Sequence, residues 1–364
     1  MTDMDASSFE TTRSLLELAG LANLQSLALI GISKNAGKTT CLNHIVTAWH
    51  TSGQTRPLAL TSIGRDGEQE DILSGRAKPR IYIPAGTIIA SAEGSLQRSD
   101  ALLEILELTN VRTAFGEVII CRALSDGYVE LAGPGASEEI AIISELILQH
   151  EPECLFIIDG ALSRRSQAGS DVSEAAILAV SAETSAVPEI LAEKTTFALN
   201  LLQTPRISTK ERTNLAAAMN DHLSARAILL SQGKHQVDCK AIDLPSLVGF
   251  GQDISKELEK NTFVAFLKGA VTDQVITELF KEPHFANLTL VVEDGTRLFL
   301  KPESMHKLQG RKIDLAVLEA LDVRLVCLNP TRSNGQLLNP ELLLEALRLK
   351  ITNIPVVDLG PANL

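Results

Sequence analysis

The segment GISKNAGKTT at residues 31–40, here called the glycine loop, has the composition of a phosphate-binding turn. It follows the apolar run LALI at residues 27–30 and precedes a helical pattern of apolar residues, Leu42, Ile45, Val46 and Trp49. A turn between a strand and a helix aims backbone N–H groups and the positive end of the helix dipole at one point, which suits a polyphosphate. The sequence therefore predicts a nucleotide-binding loop near the start of the chain.

Each residue type in the glycine loop has a predicted role. The Lys38 ammonium would bridge the β- and γ-phosphates as a catalytic group, and the Thr39 hydroxyl would ligate Mg²⁺. Gly37 would allow the backbone to approach the phosphates closely. The spacing G-x5-G-K-T is one residue longer than the usual Walker A spacing. The predicted nucleotide-binding residues are Gly31, Ser33, Lys34, Asn35, Ala36, Gly37, Lys38, Thr39 and Thr40.

Carboxylates that could hold the magnesium follow two predicted strands. Asp159 comes directly after the apolar run at residues 155–158, where a P-loop protein needs an acidic residue to hold the metal and orient water. Asp159 is therefore predicted as both a metal ligand and a catalytic residue. Asp66, after the second strand, is predicted as a further metal ligand. A role in the site stays open for Glu130, and for Arg164 or Arg165, which could equally form an ordinary turn or a surface pair.

Apolar runs alternate with helical patterns along the first half of the chain. Such an order predicts an α/β fold, a P-loop NTPase with a mostly parallel, doubly wound sheet. The predicted strands are Leu27–Gly31, Pro57–Ile63, Ile81–Ile83, Thr87–Ala90, Val118–Ala123, Leu155–Asp159 and Ile177–Val180. The predicted helices are Thr39–Thr51, Ser99–Leu108 and Glu138–Gln149.

A second, smaller α/β domain is expected after residue 204, because the net negative charge is confined to the first 200 residues. The predicted domains are an N-terminal helix at residues 1–23, a nucleotide-binding domain at 24–204 and a C-terminal domain at 205–364. Within the last, Glu293-Asp294-Gly295-Thr296 predicts a hairpin turn between two apolar runs. Further helices are expected over Thr209–Leu223, Thr272–Lys281 and Pro340–Lys350.

Composition excludes several classes of function. The formal net charge of −12 and an aromatic content of 4% disfavour nucleic acid as a ligand. Five cysteines without a CxxC pair and seven histidines without an HExxH pattern favour neither zinc nor disulfides. An acidic start and the lack of an 18-residue apolar run predict a cytoplasmic protein with no membrane segment.

Several segments resemble a known family. The glycine loop with the Asp-Gly-Ala run at 159–161 is similar to the P-loop class that contains dethiobiotin synthetase. The segments TSIGRDG at 61–67, KPRIY at 78–82, PAGT at 84–87, SDGYVEL at 125–131 and DGALSR at 159–164 resemble the ATP-binding subunit of lysine 5,6-aminomutase reactivase. That resemblance implies ATP-driven replacement of damaged cobalamin, with a cobalamin-dependent aminomutase and a MutS-like reactivase subunit as partners.

Other functions stay open at this point. No guanine-reading Asn-Lys-x-Asp segment occurs, so ATP with Mg²⁺ is the expected cofactor pair. The alternatives to a slow ATPase are a ligase of the dethiobiotin synthetase type that activates a carboxylate or carbamate, and a nucleotide sensor that does not hydrolyse its ligand. A homodimer is possible for each of them.

Overall fold

The chain divides into two compact units. The computed structural model describes residues 15–33, 35–63, 80–160, 173–281 and 287–360. One unit comprises Met1–Leu199 together with Asp322–Leu364, and the other comprises Asn200–Leu321. The chain therefore leaves the first unit near residue 200 and returns to it at residue 322.

The first unit is built on a nine-stranded mixed sheet that is mostly parallel. Its strands are β1 (Ser26–Gly31), β2 (Leu58–Ser62), β4 (Ile88–Ala92), β5 (Leu103–Thr113), β6 (Gly116–Ala123), β8 (Leu155–Asp159), β9 (Ala175–Ser181), β17 (Val323–Asn329) and β18 (Val356–Asp358). Their order across the sheet is β18-β17-β9-β1-β8-β2-β4-β6-β5, and only the contacts of β6 with β4 and β5 are antiparallel. A separate antiparallel pair consists of β3 (Ile81–Ile83) and β7 (Gly127–Val129).

Helices cover this sheet, and its central strands are buried on both faces. The helices are α1 (Lys38–Thr51), α2 (Glu93–Leu96), α3 (Ser137–His150), α4 (Pro188–Leu202) and α9 (Pro340–Lys350). Leu27 and Leu29 of β1 point into a core shared with α1, whereas Ala28 and Ile30 are equally buried on the opposite face. This near-continuous apolar character is what a parallel sheet requires when helices lie on both sides.

The second unit has its own five-stranded sheet, in the order β11-β10-β12-β14-β16. Its strands are β10 (Ala227–Gln232), β11 (Val237–Ile242), β12 (Thr262–Leu267), β14 (Thr289–Val292) and β16 (Asp314–Val317), with β13 (Val271–Thr272) and β15 (Leu298–Phe299) forming a short parallel pair. Its helices are α5 (Thr209–Asp221), α6 (Gly251–Glu257), α7 (Asp273–Leu279) and α8 (Pro302–Gly310). The core between α5 and the sheet includes Leu215, Ile228 and Phe266.

Three expectations from the sequence differ from the structure. Residues 322–364 do not belong to a C-terminal domain, because β17 pairs with β9 in the first sheet. The helix expected over Ser99–Leu108 is wrong, since these residues lead into edge strand β5, which pairs with β6. The hairpin around Asp294 is also wrong: β14 pairs in parallel with β12 and β16, and the Asp294 carboxylate caps a 3-10 turn by accepting the Thr296 N–H.

No helix in the described ranges is both long and apolar enough to cross a membrane. Residues 15–18 are helical, and the rest of the N-terminal helix expected within residues 1–23 lies largely outside the described ranges.

Four of the five cysteines are buried, and Cys239, on β11, is exposed. Burial raises the pKa of the Cys121 and Cys154 thiols to about 11, so both thiols stay protonated at neutral pH. We expect a thiol-specific disulfide reagent to label Cys239 quickly in the folded protein and all five cysteines after unfolding, because the other four thiols are buried and out of reach of the reagent. The Cys239→Ser variant should lose the fast phase, and a fast phase retained in that variant would contradict the assignment.

Arg56 holds the amino edge of the central strands together. Its guanidinium donates to the carbonyls of Ala22 and Leu24, before β1, and to those of Glu153 and Cys154, before β8. The Arg56 carbonyl in turn accepts the indole N–H of Trp49 at 2.7 Å. The Arg56 side chain therefore joins the starts of two neighbouring strands, and its backbone carbonyl adds a contact with the end of α1.

We expect Arg56→Met to lower the free energy of unfolding by about 2–3 kcal/mol, because several charge-assisted hydrogen bonds are lost together. Denaturation followed by fluorescence of Trp49, the single tryptophan, measures the change in the unit that contains Arg56. Arg112→Met is the control, since Arg112 is exposed on β5. Equal stability of the two variants would show that the Arg56 hydrogen bonds contribute nothing.

Candidate functional site

Five neighbouring parallel strands end at one edge of the first sheet, where their inward side chains change from apolar to small or polar. On β8, Leu155 and Ile157 lie in the core with α1, and alternation places Asp159 on the same face. In each of the other four strands, too, the last residue lies on the same face as the core residues that alternate before it. The terminal residues across the sheet are Asn329 (β17), Ser181 (β9), Gly31 (β1), Asp159 (β8) and Ser62 (β2). A row of polar groups therefore lies beside the start of α1.

The glycine loop connects β1 to α1 through a left-handed turn at Gly37, where φ is +86°. A Cβ on Gly37 would lie 2.7 Å from the Asn329 Cβ, so both the backbone conformation and the available space require glycine. Asn35 is also left-handed, with φ of +59°.

The Lys38 side chain turns back across the loop toward the end of β1. A Cβ on Gly31 would lie 3.3 Å from both the Cγ and the Nζ of Lys38, and 2.9 Å from the Ala36 Cβ. The ammonium therefore lies against the bare backbone of Gly31. Glycine at position 31 leaves the room that this lysine conformation needs.

Strand β9 and the residues just after it hold the glycine loop from one side. Ser181, at the end of β9, donates a hydrogen bond of 2.8 Å from its hydroxyl to the Asn35 carbonyl. The hydroxyls of Ser33 and Thr184 lie 3.1 Å apart. The Ile32 N–H donates to the Ala179 carbonyl, which continues the β1–β9 ladder into the loop.

The amino end of α1 has no side-chain cap. Gly37 occupies the N-cap position and offers no side chain, and the first turn contains no acidic residue. Side-chain oxygens of Ser208, Thr272 and Asn339 cap α5, α7 and α9, whereas α2, α6 and α8 resemble α1 in having no side-chain cap. The positive end of the α1 dipole, with its first N–H groups, therefore lies in the loop without a side-chain cap from its N-cap residue.

Asp159 lies next to the base of the glycine loop. It pairs with Leu29 of β1 and with Ser62 of β2, and its backbone carbonyl accepts the Ile63 N–H at 2.8 Å. The Asp159 side chain is half-buried. The Ser62 hydroxyl accepts the Gly133 N–H at 3.1 Å, so the loop that follows β7 lies across the end of β2.

The structure brings most of the residues predicted for the site together. Gly31, Lys38, Thr39 and Thr40 lie in one turn, with Asp159 on the adjacent strand. Glu130 forms an ion pair with Arg98 at 2.7 Å. Four other residues considered for the site lie outside the described ranges: Lys34, Asp66, Arg164 and Arg165.

Asn329 and Ser181 were missed by sequence reasoning. Both end apolar strands, and both follow core residues at a spacing of two, as Asp159 does. That spacing is a usable signal: a polar residue that continues the inward face of a buried strand should lie at the sheet edge.

The buried face of α1 carries polar contacts to the last two strands. Cys41 of α1 neighbours Cys327 of β17, and burial, followed by the influence of this neighbour, raises the pKa of the Cys327 thiol. Burial lowers the pKa of His44, which neighbours Asp358 at the end of β18. His44 is therefore a packed, neutral residue behind the glycine loop.

Comparison of the chain with protein-family models, with curated proteins and with solved structures found no match. The architecture itself is α/β, with a large, mostly parallel mixed sheet and several helices.

We expect Gly37→Ala to lower the free energy of unfolding by about 2–4 kcal/mol, since a Cβ adds backbone strain and a clash with Asn329. Gly53→Ala is a matched control, because Gly53 has φ of +74° at the other end of α1 and nothing lies within 4 Å of its Cβ position. Denaturation monitored by Trp49 fluorescence should show the smaller loss for Gly53→Ala. Equal losses would mean that the contact with Asn329 carries no energetic weight.

Proposed function

We propose that this chain binds ATP with Mg²⁺ in the glycine loop and hydrolyses it slowly. The observation that carries the proposal is the folded-back Lys38, whose ammonium lies against Gly31 at the uncapped amino end of α1. A lysine and the backbone N–H groups at the start of a helix, brought together on one turn, form a site for a polyphosphate.

The residues present fit both parts of this ligand. Lys38 and the N–H groups at the start of α1 would hold the phosphates. Thr39, in the first turn of α1, and Asp159, at the end of the adjacent strand, supply the oxygen atoms that magnesium prefers. Bound Mg²⁺ would neutralise charge that develops on the phosphate oxygens.

The chain's own contribution to hydrolysis is positioning. Lys38 would hold the terminal phosphate, while Asp159 would accept a hydrogen bond from the attacking water or from a metal-bound water. Among the described residues we assign neither a glutamine nor an arginine to stabilise the transferred charge. Slow turnover in the absence of a partner is the consequence.

The proposed partner comes from the sequence. The segments similar to the reactivase family support an ATPase that acts on a cobalamin-dependent aminomutase, together with a MutS-like subunit. In that role, ATP hydrolysis would change how tightly this chain binds its partner protein, and no small molecule would be modified. ATP turnover that rises with added aminomutase supports this role, and turnover that requires a carboxylate or diamine supports the ligase alternative.

We expect Lys38→Ala to raise the dissociation constant for Mg²⁺–ATP about 10- to 100-fold, because it removes charge-assisted hydrogen bonds to the phosphates. Calorimetric titration measures the constant. Lys307→Ala, at an exposed site on α8, is the control for the loss of one positive charge. An unchanged constant for Lys38→Ala would remove the loop from the proposed site.

Asp159→Asn should lower ATP turnover about 100-fold or more and change the dissociation constant by less than about threefold, because its role lies in water and metal positioning. Single-turnover hydrolysis and calorimetry separate the two effects. Asp314→Asn, on the exposed start of β16, controls for the lost charge. Parallel losses of binding and turnover would contradict this division of roles.

A further inference from the structure

Asn329, which lies outside the glycine loop in the sequence, packs against Gly37 of that loop. It is the last residue of β17, and only 7% of it is exposed. A Cβ on Gly37 would meet its Cβ at 2.7 Å and its Nδ2 at 3.1 Å. Its packing therefore closes one side of the left-handed turn.

Two hydrogen bonds orient the Asn329 amide. The Nδ2 donates to the Thr40 hydroxyl oxygen at 3.4 Å, and the Oδ1 accepts the Thr331 N–H at 2.9 Å. The second contact defines which end of the amide is oxygen, because a backbone N–H can only donate. The amide N–H of Asn329 therefore points to Thr40 in α1. Because the Thr40 oxygen accepts this hydrogen bond, the Thr40 hydroxyl proton can be donated to another acceptor.

The backbone of Asn329 is held as firmly as its side chain. Its carbonyl accepts the Ala182 N–H at 3.0 Å, and Asn329 pairs with Ser181 of β9. Ser181 itself holds the Asn35 carbonyl at 2.8 Å. The ends of β9 and β17 therefore bind the glycine loop at two points, Ser181 at Asn35 and Asn329 at Thr40, which lie before and after Gly37 in the sequence.

We propose that Asn329 is a positioning residue for the glycine loop, holding the Gly37 turn and the Thr40 hydroxyl so that the first N–H groups of α1 stay aimed at a bound phosphate. This inference rests on the proposed function and adds to it a contribution from residues 322–364. Asn329 acts through Gly37 and Thr40.

Asn329→Asp tests, with almost no change in size, whether Asn329 lies beside the bound phosphate, as the proposal requires. The new carboxylate can accept a hydrogen bond from the Thr40 hydroxyl and lies near the positive end of the α1 dipole, which stabilises the free protein. The same charge weakens the hold on an anionic ligand. We expect an unchanged or higher melting temperature and a dissociation constant for Mg²⁺–ATP raised at least tenfold.

If position 329 lay away from the bound phosphate, the melting temperature and the dissociation constant would change differently. A lower melting temperature with an unchanged dissociation constant would overturn the proposal. Asn220→Asp, on an exposed position of α5, is the control for the added charge and should leave both quantities unchanged. A tenfold rise in that control would also overturn the assignment, since it would trace the effect to net charge.

A double-mutant cycle identifies the route through Thr40. Asn329→Ala and Thr40→Val each remove one side of the same hydrogen bond. If Asn329 acts through Thr40, the double variant should raise the dissociation constant no more than the larger single effect. Multiplied effects of the two substitutions would contradict this route.

Hydrogen exchange without nucleotide separates this inference from the proposed function. The Cys41 N–H donates to the Gly37 carbonyl at 2.9 Å and reports on the turn. Asn329→Ala should speed its exchange at least tenfold, whereas Asn334→Ala, in the exposed loop after β17, should not. A wild-type chain that binds no ATP would defeat the proposed function alone, while unchanged exchange in Asn329→Ala would defeat the positioning role.

Discussion

The parallel alignment of β17, β9, β1, β8 and β2 is the constraint on which the site depends. Because neighbouring strands run in the same direction, their carboxyl ends meet at one edge of the sheet. Each strand contributes a small or polar residue there, from Asn329 to Ser62. Without this alignment the glycine loop would have no carboxylate beside it and no side chain behind it.

Burial supplies the rigidity that such a site needs. Behind the polar edge, the central strands carry leucine, isoleucine and alanine on both faces, so the strand ends cannot shift independently. At the opposite edge, Arg56 joins the residues that precede β1 and β8. The strands that carry the glycine loop and Asp159 are therefore held at both ends.

The central elements could be predicted from the sequence, while the edge strands could not. Leu155–Asp159 and the helix after the glycine loop follow from continuous apolar runs and from apolar spacing at one helical face. Residues 99–108 also fit helical spacing, because Leu103 and Leu106 are three positions apart, as are Ile105 and Leu108. The helix predicted there is wrong. Pairing with β6 across the sheet, which no local pattern encodes, makes residues 103–108 part of a strand with irregular register.

The expected hairpin and the expected domain boundary were wrong for a similar reason, because both depend on strand pairing that no local pattern encodes. Asp294-Gly295 has the composition of a hairpin turn, yet the strand before it is paired on both sides in parallel, so the chain continues into a capped 3-10 turn. Residues 322–364 look like a continuation of the second unit, and only the pairing of β17 with β9 returns them to the first.

By itself, the sequence determined that residues 31–40 form a glycine-bearing turn between a buried strand and a helix, and that Asp159 ends another buried strand. These features depend on local backbone freedom and on apolar periodicity, which neighbouring residues encode. Only the tertiary structure decided that Asp159 lies beside that turn and that Asn329, almost 300 positions later in the chain, packs against Gly37. Strand order and direction arise from packing the whole sheet, so the partners of a strand end cannot be read from the residues around it.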